Sequence, residues 1–246
     1  YQLGQLLHRQ RESEDAESCF RTVLARRRQI LGDEHLDTLR SANSLGNALN
    51  HLGQAKEGEI LLREAFEGRR RILGENHLDT LESMNDLGVS LKLQGRFADA
   101  LEHYQKALDG FRLTLGDDHV WTATSVYNIG RLFGDVERHS EAKVYFLEAV
   151  QTRRDLLGVN HPDTMRAIAA LADLLRAQSD WKETEVYYRQ LLAGRRRVLG
   201  DHHSDTLRST EWLAFVLAEQ RMLAEAEQIY RDTLQTRRII NSDDRR

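Results

Sequence analysis

Apolar residues along this chain recur at helical spacing, as in Ala42, Leu45, Leu49 and Leu52 and then Ile60, Leu61, Ala65 and Ile72. Such spacing lays one apolar stripe along a helix, whereas a half-buried strand would alternate at every second residue. The two stripes predict two helices joined by a turn near Gly53, and the same pair recurs throughout the chain. Leu-Gly steps end at Gly32, Gly74, Gly116, Gly158 and Gly200, and His35, His77, His119, His161 and His203 each follow by three residues, so every interval is 42. A fixed period of this size marks stacked supersecondary units, none of which can bury its apolar face alone. Six repeats are expected in a single array, a partial one over 1–32 and then 33–74, 75–116, 117–158, 159–200 and 201–240, followed by a polar tail at 241–246.

Local chemistry predicts where the helices begin and end. The first helix of each repeat is expected after Asp37-Thr38, Asp79-Thr80, Asp163-Thr164 and Asp205-Thr206, whose side-chain oxygens can accept from first-turn amides, with Thr122 alone in the third linker. Gly53 and Gly95 break the helix pair; Ser179 and Arg221 hold that place later, which implies a less demanding turn there. The second helix is expected to stop at the Leu-Gly step, where glycine takes the left-handed conformation of a helix end.

Within the repeat, Leu87-Gly88, Leu91, Ala100 and Tyr104 form a pattern repeated by Ile129-Gly130, Phe133, Ala142 and Phe146 and by Leu213-Ala214, Leu217, Ala226 and Tyr230, with Gly58 and Thr184 as weaker matches. The pattern resembles the tetratricopeptide repeat, whose Leu-Gly-x-x-Tyr and Ala-x-x-x-Phe positions pack paired helices. The usual repeat of about 34 residues ends its second helix with proline. Here Arg70, Arg112, Arg154 and Arg196 stand in that place, so the second helix can run about eight residues further, roughly 12 Å at helical rise. This 42-residue form with a Leu-Gly-x-x-His-x-Asp-Thr linker resembles kinesin-light-chain-type repeats, and repeat arrays of bacterial multidomain signalling proteins. The resemblance implies an all-α, right-handed superhelical solenoid of antiparallel helix pairs.

Composition narrows the functional classes. Lysine and arginine total 35 against 39 acidic residues, a net charge of -4, which argues against a nucleic-acid partner. No run of about 18 apolar residues exists, so no membrane span or membrane partner is expected. Cys19 stands alone and calls for no oxidising compartment, and a cytoplasmic location follows. The opening Tyr1-Gln2-Leu3 has neither an initiator methionine nor an export signal, which reads as part of a longer protein.

Several residue sets invite chemistry. The five linker histidines sit two helices apart in a stack, adjacent axes being about 8 to 10 Å apart against zinc-ligand bonds of about 2.0 to 2.1 Å. They read as linker residues bonding nearby backbone. Two arginine columns, Arg27, Arg69, Arg153, Arg195 and Arg237 beside Arg28, Arg70, Arg112, Arg154, Arg196 and Arg238, read as last-turn cations offsetting helix dipoles near Asp33, Glu75, Asp117 and Asp201, the alternative being a basic ridge. Cys19 reads as packed, Trp181 and Phe97 as core, and Trp121, in place of a linker aspartate, as exposed. No phosphate-binding loop, zinc-protease motif, nucleophile elbow or cysteine pair is present, so no catalytic residue, cofactor or metal is assigned and an enzyme is not expected.

The first helix of each repeat carries the functional signal. The stripe beside its core stripe holds Arg40, Asn43, Asn47 and Asn50, then Asn85 and Lys92, then Tyr127 and Arg131, then Arg166 and Arg176, then Arg208, with Glu82, Asp135, Asp173, Glu211, Phe215 and Glu219 among them. In the family that the chain resembles, this stripe lines the concave groove. Asparagine is a poor helix former, and its amide can hold a peptide backbone or bond between helices. The expected function is a protein-interaction scaffold holding a partner segment with local acidic residues and an apolar anchor. The alternative is a regulatory or self-assembling arm of a larger kinase or nucleotide-binding signalling protein, whose ligand is another domain of the same chain or a second copy.

Overall fold

A computed structural model describes the backbone of residues 2–243 and the side chains of residues 16–240. The described residues form eleven helices: α1 (Gln2–Leu31), α2 (Leu36–His51), α3 (Ala55–Leu73), α4 (Leu78–Leu93), α5 (Phe97–Leu115), α6 (Val120–Asp135), α7 (His139–Leu157), α8 (Pro162–Ala177), α9 (Trp181–Leu199), α10 (Ser204–Glu219) and α11 (Leu223–Asp243). This is an all-α helical-repeat solenoid in which a 16-residue first helix alternates with a 19-residue second helix. The longer second helix is the extension that arginine permits where proline would stop it. The partial first repeat departs from expectation: α1 runs unbroken for 30 residues, with no positive-φ turn at Arg11. At the other end α11 reaches Asp243, so the expected tail is helical over its first three residues; 244–246 lie outside the described residues.

Two compact bodies divide the chain, Tyr1–Leu132 and Phe133–Arg246. In the first, α1 packs on α2, α2 on α3, α3 on α4 and α4 on α5, and α2 also touches α4. In the second, α7 packs on α8, α8 on α9, α9 on α10 and α10 on α11. Each core is built from the recurring apolar positions, with Leu39, Leu45, Leu49, Leu62, Leu81, Leu87 and Tyr104 buried in the first body and Ile168, Leu171, Tyr188, Leu213 and Leu217 in the second. The Leu-Gly step inside α4 has a packing reason: a Cβ on Gly88 would lie 2.7 Å from Tyr104 Cε1. Only a bare Cα lets the phenol ring close onto the partner helix.

Helix boundaries differ from expectation in three ways. First, the N-cap is the histidine, not the following Asp-Thr. His35 Nδ1 accepts the Asp37 N–H at 3.1 Å, and His77, His161 and His203 do the same for Asp79, Asp163 and Asp205. The imidazole reaches the second amide of the turn, a task normally given to Ser, Thr, Asp or Asn. Thr38, Thr80 and Thr206 hydroxyls are buried without a hydrogen-bond partner. Second, the five turns from α2 to α11 that join paired helices are equally demanding: φ is 78° at Gly53 and 75° at Gly95, and still 59° at Glu137, 59° at Ser179 and 67° at Arg221. Three residues with a Cβ therefore sit in left-handed backbone. Third, the Leu-Gly terminus is more restrictive than a left-handed cap, since Gly74 has φ 91° and ψ 166°, a region essentially reserved for glycine.

Candidate interaction face

The arginine columns resolve into structural parts. Arg27 Nη1 donates to the Asp37 carbonyl and to Ser41 Oγ, both at 2.8 Å. Arg69 donates to the Asp79 carbonyl at 2.8 Å and Ser83 Oγ at 2.7 Å, and Arg195 to the Asp205 carbonyl at 3.0 Å and Ser209 Oγ at 2.5 Å. Arg153 reaches the Asp163 carbonyl at 3.1 Å. Each guanidinium ends one repeat's second helix and clasps the opening turn of the next repeat's first helix. Arg237 departs from this and pairs with Glu211 at 2.6 Å. In the second column, Arg28 meets Asp33 and Glu64, Arg112 meets Asp117 and Arg196 meets Asp201, within 3.2 Å in each case. Asp33, Asp117 and Asp201 are acids that the sequence placed after the helix ends, whereas Arg70 pairs with Glu67 of its own helix at 2.5 Å, not with Glu75, and Arg154 donates to Gln190 at 3.1 Å.

The third linker is built differently. Phe111 stands where other repeats have the clasping arginine, and Trp121 where they have the aspartate; the two rings stack with centroids 5.9 Å apart and planes 16° from parallel. Thr122 Oγ1 donates to the Gly116 carbonyl at 2.7 Å, and His119 Nδ1 still accepts the Trp121 N–H at 3.2 Å. Trp121 is exposed, as the sequence implied, whereas Trp181 and Phe97 are only half-buried, at helix starts. Cys19, expected to pack, is exposed. Among the described residues no group of three or more His, Cys, Asp or Glu side chains could hold a metal ion.

On the first-helix face of the N-terminal body, the asparagines turn inward. Asn43 and Asn85 are only 5% and 4% exposed. Asn43 Nδ2 donates to Asp86 Oδ2 at 2.8 Å, Asn47 Nδ2 to the same oxygen at 2.6 Å, and Ser83 Oγ donates to Asn43 Oδ1 at 2.8 Å. One repeat on, Asn85 Oδ1 accepts from Ser125 Oγ at 3.3 Å and Asn128 Nδ2 at 3.2 Å. The amides at the Asn43 position thus tie successive first helices together and are not open to a ligand. Asn50 and Tyr127 are also buried, the Asn50 amide lying against the α3 backbone where a Cβ on Gly58 would strike its oxygen at 2.8 Å. The stripe is rotated from the one expected: Arg40 and Arg131 are exposed, Asn47 and Lys92 are half-buried, and Asn128 and Asp86 lie half-buried beside them, with the Asp86 carboxyl covered by the Asn43 and Asn47 amides.

Asp86 was not singled out from the sequence, although its place one residue after Asn85 in the repeat, held by Ser44, Asn128, Ala170 and Trp212 elsewhere, is the signal that could have found it. Burial pushes its carboxyl above the usual aspartate range, and the Asn47 and Asn43 amides only partly offset this. Glu82 is raised too, first by burial and then by the charge of Asp86, although Arg69 approaches it at 3.3 Å.

The corresponding face of the C-terminal body is aromatic. The Arg176 guanidinium lies 4.1 Å from the Trp212 ring centroid, Trp212 meets Phe215 edge-on at 5.8 Å, and Phe215 meets Trp181 edge-on at 6.0 Å. Asp173 Oδ1 takes the Tyr188 hydroxyl at 2.6 Å and lies 3.8 Å from Arg176 Nε, a buried nitrogen with no hydrogen-bond acceptor. Burial, reinforced by Asp173, holds the Tyr188 phenol far above its ordinary range. Arg166 and Arg208 are exposed and pair with Asp163 at 2.8 Å and Asp205 at 2.7 Å, as Arg40 does with Asp37 at 3.3 Å. Such surface pairs are weak and open readily to a ligand.

Alternating helices and the inter-repeat clasp define a helical-repeat protein. The tetratricopeptide repeat family model matches residues 1–57, 42–112, 87–155, 126–193 and 163–239, and the chain belongs to that family. No curated protein matches the sequence. Among solved structures, a kinesin-light-chain protein of Podosopora anserina with nearly identical tetratricopeptide-like repeats shares 21% identity over 82% of this chain and 96% of its own, with a TM-score of 0.72. BtubC (BKLC) of P. vanneervenii shares 19% over 93% and 92%, with a TM-score of 0.77. The apo form of RapI shares 14% over 98% and 97%, with a TM-score of 0.64. These likenesses concern the fold. No helix among the described residues is long and apolar enough to cross a membrane.

Proposed function

We propose that this chain is a non-catalytic protein-interaction scaffold whose first helices receive a segment of a protein partner, in the cytoplasm. The observation that carries the reading is the Arg176, Trp212 and Phe215 cluster, half-exposed on the first-helix face of the C-terminal body. Aromatic and arginine side chains dominate binding energy at protein interfaces because they combine large apolar area with a polar handle. A guanidinium flat on an indole keeps its edge donors for a carboxylate, so the partner carries an acidic residue beside an apolar anchor. Arg166 and Arg208 supply further polar contacts on this face, and Arg40, Asn47, Lys92 and Arg131 offer polar contacts on the first-helix face of the N-terminal body, while Asn43, Asn50, Asn85 and Tyr127 act from within the helix array.

Peptides selected by display on the whole chain test this. Arg176→Glu and Trp212→Ala should each weaken the selected peptides by about tenfold or more, with helicity and melting temperature retained. Unchanged binding by every selected peptide in both folded variants contradicts the proposal.

A further inference from the structure

The third linker departs from the other four in three charged positions at once. Where Arg69, Asp79 and Glu82 stand around one junction, Phe111, Trp121 and Thr124 stand around the next, and the remaining junctions carry arginine, aspartate and arginine. The other four linkers provide an internal control. They show that an arginine clasping a carbonyl is sufficient to hold consecutive repeats, so the junction itself does not require an aromatic pair. The Phe–Trp stack buries Phe111 to 1% yet leaves Trp121 38% exposed at the start of α6, beside exposed Val120. Burial alone would not select tryptophan for a position that is half in water.

The surrounding charge selects the ligand. The arginines that other junctions carry at the clasp position and three residues beyond the aspartate position are here replaced by Phe111 and Thr124. Asp117 and Asp118 lie immediately before it, both exposed, and Asp117 is offset by Arg112 at 2.8 Å. An indole face attracts a cation through its quadrupole, and a carboxylate a few residues away adds to that attraction.

We infer that the third linker is a second docking point, in which a lysine or arginine side chain of a protein partner stacks on Trp121 with Asp118 as its counter-charge. The site lies on the linker edge and does not depend on the first-helix face. Its chemistry is opposite, a basic side chain here against an acidic one at Arg176.

The test uses the whole chain labelled with nitrogen-15 and two probes, acetyl-triarginine amide and acetyl-triglutamate amide. The indole N–H signals of Trp121, Trp181 and Trp212 are assigned with single Trp→Phe variants. Triarginine is expected to move the Trp121 signal saturably, and triglutamate to leave it in place. Asp118→Asn should weaken the triarginine effect by about two- to fivefold, and the double variant Phe111→Arg, Trp121→Asp, which installs the junction of the other repeats, should abolish specific binding, read by calorimetry. A Trp121 signal indifferent to triarginine, one moved equally by triglutamate, or undiminished binding in the folded double variant overturns the inference. If the double variant fails to fold, Trp121→Ala replaces it with the same expectation. The Trp212 signal reports the first-helix face in the same spectra, so failure of one site is distinguishable from failure of the other.

Discussion

Arg69 Nη1 lies 2.8 Å from the backbone carbonyl of Asp79, with the arginine only 3% exposed. A buried guanidinium is tolerated only with acceptors around it, and Ser83 and Glu82 supply the others. The contact fastens one repeat to the next, and its recurrence at Arg27, Arg153 and Arg195 makes it a property of the 42-residue unit. Arg69→Ala should therefore cost about 2 to 4 kcal/mol, through lost charged hydrogen bonds and a vacated volume. Arg70→Ala, on the exposed side of the same turn, should cost less than about 1 kcal/mol. Denaturant unfolding of the two variants checks the contrast.

The left-handed turns make a prediction of opposite sign. Ser179→Gly and Arg221→Gly relieve positive-φ backbone that costs a non-glycine residue about 1 to 2 kcal/mol, less about 0.5 to 1 kcal/mol of added chain entropy. Each should be neutral to stabilising by up to about 1 kcal/mol. Gly74→Ala, at φ 91° and ψ 166°, should destabilise by about 1 to 3 kcal/mol. Thermal melts measure both.

Asp86 and Glu82 give a pH dependence. Both have folded-state pKa values raised above the ordinary range, so the folded protein binds these protons more tightly than the unfolded chain. Their stabilising contribution is complete below the ordinary carboxylate range and is lost as pH rises through the raised values. Asp86→Asn keeps an oxygen for the Asn43 and Asn47 amides, and asparagine already occupies this place at Asn128. The variant should be more stable than the parent at pH 7, and the difference should shrink toward pH 4. A difference that is constant or grows on acidification contradicts the assignment.

The stacking itself was legible because the 42-residue period and the apolar spacing depend only on local sequence. The sequence implies that the linker histidines bond nearby backbone, but not that they are the caps, because an imidazole cap depends on a ring orientation that spacing does not encode. The Asn43 face was misplaced for a tertiary reason. A first helix contacts its own second helix and also the next first helix, so its buried arc is wider than one apolar stripe, and polar residues such as Asn43, Ser83 and Asn85 fill the difference. Asp86 is not legible in the sequence because an acidic side chain reads as solvated until two amides from the preceding repeat are brought onto it.

The repeat boundaries proposed from sequence, within one array over 1–240, lead to a deletion test. Removing residues 33–74 brings Arg27 to the opening turn that holds Asp79 and Ser83, recreating the clasp in register. We expect a helical protein that still melts cooperatively, whereas removing 33–53 should destroy cooperative melting. Circular dichroism melts of the two deletions separate these outcomes.

The central claim, that a partner occupies the first-helix face, is tested most directly by site-specific photocrosslinking to a display-selected peptide. A benzophenone side chain is placed at Arg166, Asp173 or Arg208 on that face of the C-terminal body, and at Val144, Val186 or Leu234, which are exposed on second helices of the same body. The account predicts crosslinked peptide at the first three positions and none at the last three. Crosslinking confined to Val144, Val186 and Leu234 would place the partner on the second helices and contradict it.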